Sequence, residues 1–139
     1  MSEESILEYS EDVSEAEAPE PLPVGVYPCT VREAKRQDSK ASGNPMIVLQ
    51  VVVAAEDFPA EFEGAESYPD GVPLTSYHGC QDNAKERFRV RKLCEAFGVP
   101  MSKRLDLNDF MMKTASVTLE HEPFEGIMQM RARSYAADE

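Results

Sequence analysis

The sequence contains no tryptophan, two histidines and three cysteines, and it has no run approaching the roughly 18 uninterrupted apolar residues of a membrane helix. Each shortage narrows the field of function. Cys29, Cys80 and Cys94 are odd in number and irregular in spacing, in a chain with ample apolar content, so no disulfide framework is expected and a reduced compartment fits. The N-terminus is acidic where a secretory signal is basic and then apolar, which predicts a soluble intracellular protein. No glycine-rich phosphate loop occurs, since KASG at 40–43 lacks the P-loop pattern, and no regular Asp-x-Asp-x-Asp loop is present for calcium. His78, Cys80, Cys94 and His121 are the right atom types for tetrahedral zinc, but no CxxC or HxxxH clip joins them. They read as one core cysteine and unrelated surface groups. No catalytic residue, metal or cofactor is assigned, and the chain is read as a non-enzyme.

Positive charge is scarce as well. Fourteen Lys and Arg stand against 26 Asp and Glu, for a net charge of −12. A uniformly acidic protein is repelled by phosphate backbones and by anionic membranes. The acids, however, are segregated. Residues 1–20 hold eight acids and no base, residues 56–70 hold six and no base, and Asp138 and Glu139 end the chain. What remains carries 10 acids and 14 bases.

The 139 residues make one domain's worth of chain. Residues 1–20 are rich in acid, Ser, Ala and Pro, a composition that cannot bury enough surface to offset the entropy of ordering, and they are read as a disordered acidic tail. Ile6, Leu7 and Tyr9 form a short apolar cluster within it, as a docking segment does. The ordered domain is placed at 21–137. Strands are expected at 24–35, where Pro28 suits an edge or a bulge, and at 46–54 and 71–79. The second is apolar almost throughout, which implies cover on both faces and is compatible with a homo-oligomer. Residues 56–70 form a long acidic insert.

The period then changes. Asn83 and Glu86 make a capping box, Val90, Leu93, Cys94 and Phe97 form a helical stripe, and Gly98 with Pro100 ends it. A short helical or turn segment at 107–112 precedes strands at 113–121 and 127–135, joined by a hairpin connection at 122–126. Five strands with one helix between the third and fourth are the element order of an OB-fold. The expected fold is therefore mainly β, a five-stranded OB-fold-like barrel.

What chemistry is left is a set of bases interleaved with aromatics. Single-stranded nucleic acid calls for that arrangement, because cations track phosphates while flat side chains stack under bases of any sequence. The last strand offers Arg131, Arg133 and Tyr135 at every second position, hence on one face. The first strand and its loop add Tyr27, Arg32, Lys35, Arg36 and Lys40, and the third adds Tyr77. The helix carries Lys85, Arg87, Arg89, Arg91 and Lys92 with only Glu86 among them, which reads first as a solvated face.

PVGVY at 23–27, KASGN at 40–44 before an apolar strand, KLCEAFG at 92–98 and EPFEG at 122–126 together resemble a family of bacteriophage proteins from replication and recombination modules. That family is thought to be made of OB-fold single-stranded DNA-binding proteins. The resemblance spans roughly residues 21–135 and implies non-catalytic coating of single strands in the cytoplasm of an infected bacterium. Single-stranded binding proteins of several lineages carry a detached acidic tail. By analogy residues 1–20 are expected to compete with DNA for the basic surface and to recruit phage or host replication and recombination proteins. The rival reading is an acidic protein-interaction module, either a virion component or an inhibitor that mimics DNA. A mimic needs its acids on a fixed surface, whereas a tail and a loop would leave them mobile.

Overall fold

The computed structural model describes residues 5–137. Five antiparallel strands form one sheet, and one α-helix accompanies it. The strands are β1 (Gly25–Asp38), β2 (Pro45–Val53), β3 (Val72–Gly79), β4 (Thr114–Phe124) and β5 (Ile127–Ala136), and helix α1 covers Ala84–Phe97 between β3 and β4. In space they run β3-β2-β1-β4-β5, so the two edges are β3 and β5.

The core lies on the inner face. Ile47, Leu49, Val51 and Val53 alternate inward along β2 and are opposed by Val72 and Leu74 of β3 and by Val31 of β1. Tyr27 and Cys29 continue the face along β1, against Val117 and Ala115 of β4. Val48 and Val52 point the other way, onto the outer face beside the exposed Tyr77, and are 8% exposed between the neighbouring strands β1 and β3. Leu93, Cys94, Ala96 and Phe97 bring the apolar stripe of α1 onto the core. The helix begins where Asn83 accepts a hydrogen bond from the Glu86 amide, and ends where Gly98 takes the left-handed conformation and donates to the Cys94 carbonyl.

Strand β1 is the middle of the sheet rather than an edge. Pro28 is tolerated because residues 25–29 pair only with β4, and pairing with β2 begins at Thr30. The hairpin connection is also tighter than the sequence suggests. Glu122, Pro123 and Phe124 belong to β4, and the turn is Glu125-Gly126, both at positive φ as a two-residue turn of this hand requires.

Residues 56–70 are not a loose excursion. Two short 3-10 turns, Ala55–Asp57 and Glu63–Ser67, fold the segment onto the core. Phe62 is buried, Phe58 meets its ring edge-on at 5.2 Å, and Tyr68 stacks on it at 6.3 Å. The six acids of the segment all remain exposed. Every residue from 5 to 20 is exposed too, including Ile6, Leu7 and Tyr9.

Candidate nucleic-acid interface

Two β-bulges decide where the candidate residues point. An extra residue shifts the alternation of a strand by one and moves everything beyond it to the other face. In β1 the register jumps between Val31 and Glu33. Beyond it Lys35 pairs with Val48 on the outer face, while Arg36 pairs with Ile47 on the inner one. Across the sheet, Val48 faces Tyr77. The row Tyr77-Val48-Lys35 thus crosses the outer face, and the Tyr77 ring is 62% exposed. Lys40 lies in the turn region that follows β1, exposed and free of any ion pair with a described residue. Arg32 sits at the bulge itself and lines a shallow depression with Glu56 and Asp70.

The second bulge breaks the expected trio on β5. Thr118 pairs with Ser134 but Leu119 pairs with Ala132, so Arg133 is the extra residue. Tyr135 then faces inward opposite Val117, and Arg131 faces outward opposite Glu120. The three do not share a face. Both arginines also hold exposed ion pairs along β4, Arg131 with Glu122 and Arg133 with Glu120, as Lys35 does with Glu33 at 3.7 Å on β1.

Of the three expected stacking tyrosines, one is a core residue and a second is half-buried against the core. Tyr27 is 7% exposed and donates its hydroxyl proton to the Pro23 carbonyl at 2.7 Å. Burial, helped by the Glu61 charge, pushes that hydroxyl's pKa up. Tyr135 reaches across the core to the opposite edge of the sheet, where its hydroxyl and Ser76 Oγ are hydrogen-bonded at 2.7 Å. Ser76 Oγ in turn meets His78 Nε2 at 2.8 Å. Burial pushes Tyr135 up to about 12 and His78 below the ordinary imidazole value. A serine hydroxyl on a histidine nitrogen is the beginning of a nucleophile pair. Here the same hydroxyl is held by Tyr135 inside the core, which makes it a latch between β3 and β5.

That latch predicts a pH profile. His78 resists protonation when folded, so its contribution to stability is complete above its unperturbed value of 6.5 and is lost as pH falls below it. Tyr135 resists ionisation, so its contribution is complete below 10.0 and is lost as pH rises from there towards about 12. The melting temperature is expected to hold a plateau between and to fall on both sides. His78→Gln should flatten the acid limb, and an acid limb of unchanged size would assign it to the carboxylates instead.

His121 is a structural group, with Nε2 against the Leu22 carbonyl at 2.7 Å, which pins the chain entering β1. Among the described residues no three of His, Cys, Asp and Glu gather as metal ligands. Burial raises the pKa of both Cys80 and Cys94.

One site escapes a reading strand by strand. A groove of about 720 Å³ runs between α1, the start of β2 and the 101–107 segment. Ile47, Val90, Cys94, Leu105 and Leu107 line it, and Arg36, Arg87, Arg91 and Lys103 stand around it. Five bases in eight residues of α1 was the available signal, and it points to this groove once Arg36 turns inward. Lys85 and Arg87 also sit in the helix's first turns, where the dipole is already positive, an arrangement unfavourable to the helix itself.

Ion pairs show which cations are uncommitted. Among the described residues Arg32, Lys40, Lys85, Arg89, Lys103, Arg104 and Lys113 have no carboxylate within 4.0 Å. No acid of residues 5–20 or 56–70 forms an ion pair with a described cation either.

A mainly β domain, with five antiparallel strands in one sheet and one helix, is the class that this geometry defines. Residues 9–123 match the family model described as "Protein of unknown function (DUF669)", and the chain belongs to that family. No curated protein matches it. No helix among the described residues is long and apolar enough to cross a membrane.

Proposed function

We propose that the chain binds single-stranded DNA without sequence preference. The observation that carries the reading is the separation of charge: no described acid of residues 5–20 or 56–70 forms an ion pair with a described cation, which leaves basic groups exposed on a chain of net charge −12. Tyr77 supplies the exposed ring for base stacking, and Lys35, Lys40 and the α1 bases supply phosphate contacts. Tyr27 and Tyr135 leave the list of contacts because they face the core, whereas Arg131 and Arg133 hold only exposed ion pairs of the kind Lys35 makes with Glu33 and stay on it.

The strand order supports an OB-fold-like barrel. With α1 between β3 and β4, and with Ser76 and Tyr135 joining the two edge strands, β3 and β5 stand where an OB-fold closes. In such barrels the face of strands two and three binds oligonucleotides, and Tyr77 lies there. The resemblance described above points the activity to phage replication and recombination, in the cytoplasm of the host.

Fluorescence anisotropy of a labelled oligo-dT strand at low salt tests the reading, with a duplex of equal length alongside. Saturable binding that prefers the single strand is expected. No binding overturns it. Deleting residues 1–20 should tighten the complex at low salt, because a tethered polyanion competes for the same cations. Unchanged affinity would remove that role from the tail.

One observation favours the rival reading. Phe62 anchors residues 56–70 on the core, so six carboxylates occupy a fixed surface, as an acidic docking module or DNA mimic requires. Failure of the parent chain to bind oligo-dT is the outcome that reading predicts.

A further inference from the structure

The groove beside α1 has a composition that core packing does not require. Its floor is apolar, from Ile47, Val90, Leu105 and Leu107, and open to solvent. Its rim draws cations from three separate stretches: Arg36 at the end of β1, Arg87 and Arg91 on α1, and Lys103 beyond it. A single carboxylate, Asp82, lines it with them.

Three of those cations hold exposed carboxylates: Arg36 with Asp38 at 4.0 Å, Arg91 with Glu95 at 2.8 Å, and Arg87 with Asp82. Such solvated pairs are worth about 0–1 kcal/mol. A strand phosphate, with one charge that several cations can share and oxygens that suit a guanidinium fork, exchanges for them readily. Lys103 needs no exchange, having no ion pair with a described residue. The volume, about 720 Å³, lies within the usual range for small-molecule sites, roughly 300–1,000 Å³. A ligand that pairs an apolar planar body with a phosphate fits both the floor and the rim.

The geometry points to this groove as a seat for one nucleotide unit of a bound strand, with the base on Ile47, Val90 and Leu105 and the phosphate held by Arg91, Arg87 and Lys103. The inference rests on the single-strand reading and adds to it a second contact, on the inner side of the same sheet end. The outer row Tyr77-Val48-Lys35 is followed, one residue along each strand, by the inner row His78-Ile47-Arg36. A strand that stacks on Tyr77 therefore reaches the groove by turning around that end of the sheet.

The test is a titration of the full ¹⁵N-labelled chain with oligo-dT, with dTMP and with thymidine, followed by amide shifts, together with oligo-dT affinities of Arg91→Ala/Lys103→Ala and Tyr77→Ala. Oligo-dT is expected to shift amides in 80–82, 87–91 and 101–107 as well as those around Tyr77. dTMP should shift the groove set alone, and thymidine much less. The double variant should keep its helical circular dichroism, lose the dTMP shifts and reduce the salt slope of oligo-dT binding by about 1–2. Oligo-dT binding with shifts confined to the outer face, or with an unchanged slope in the double variant, overturns the groove and leaves the single-strand reading standing. dTMP shifts in the groove without any oligo-dT binding overturn both, and mark a site for free nucleotides.

Discussion

Replacing Phe110 with alanine is expected to cost about 3–5 kcal/mol of folding stability, a large part of the roughly 5–15 kcal/mol that a domain of this kind has. Phe110 is fully buried and meets Phe97 edge-on at 6.0 Å. Phe97 packs on Tyr135 at 5.1 Å, and Tyr135 on His78 at 6.0 Å. This row of rings links the 107–110 turn to α1, β5 and β3. The same turn is tied to the sheet by the Met112 amide, which donates to the Val31 carbonyl. Alanine would leave a cavity that the paired backbone cannot close. Urea titration should show a lower midpoint with an unchanged slope, and a loss below about 1 kcal/mol would contradict the packing described.

The second large effect concerns binding. Tyr77→Ala should weaken oligo-dT by about 5–150-fold, the equivalent of roughly 1–3 kcal/mol for one lost base stack. Its melting temperature should hardly move, since the ring is 62% exposed. Tyr135→Phe should behave in the opposite way. It removes one of the two partners of the buried Ser76 hydroxyl, which keeps its bond to His78, costs about 0.5–1.5 kcal/mol of stability, and leaves oligo-dT affinity unchanged. Equal losses of affinity in the two variants would mean that Tyr77 acts through the fold.

Local signals made most of the elements legible. The Asn83/Glu86 box, the stripe ending in Phe97, the Gly98 stop and the apolar run of β2 depend on residues close in sequence, and each element lies within a few residues of its expected place. The errors came from pairing. A bulge exists only between two strands, and nothing within β1 or β5 alone says that Arg36 turns inward or that Arg133 is the extra residue. Alternation without those bulges put Arg131, Arg133 and Tyr135 together. The burial of Tyr27 has the same origin, since its inward side is set by Val117 opposite. The aromatics at Phe58, Phe62 and Tyr68 were visible among the acids, but their hold on the core was not, because no period marks a segment folded on its own rings. The groove is assembled from β1, β2, α1 and the 101–107 segment. Its four cations are spread over residues 36–103, and only the fold brings them together.

For binding, the spatial distribution of charge should outweigh its sum. The direct measurement is the affinity of the full chain for oligo-dT across a salt series. Three to four phosphate contacts predict a slope of about −2 to −3 for log affinity against log salt. A slope near zero, or affinity that rises with salt, would contradict it.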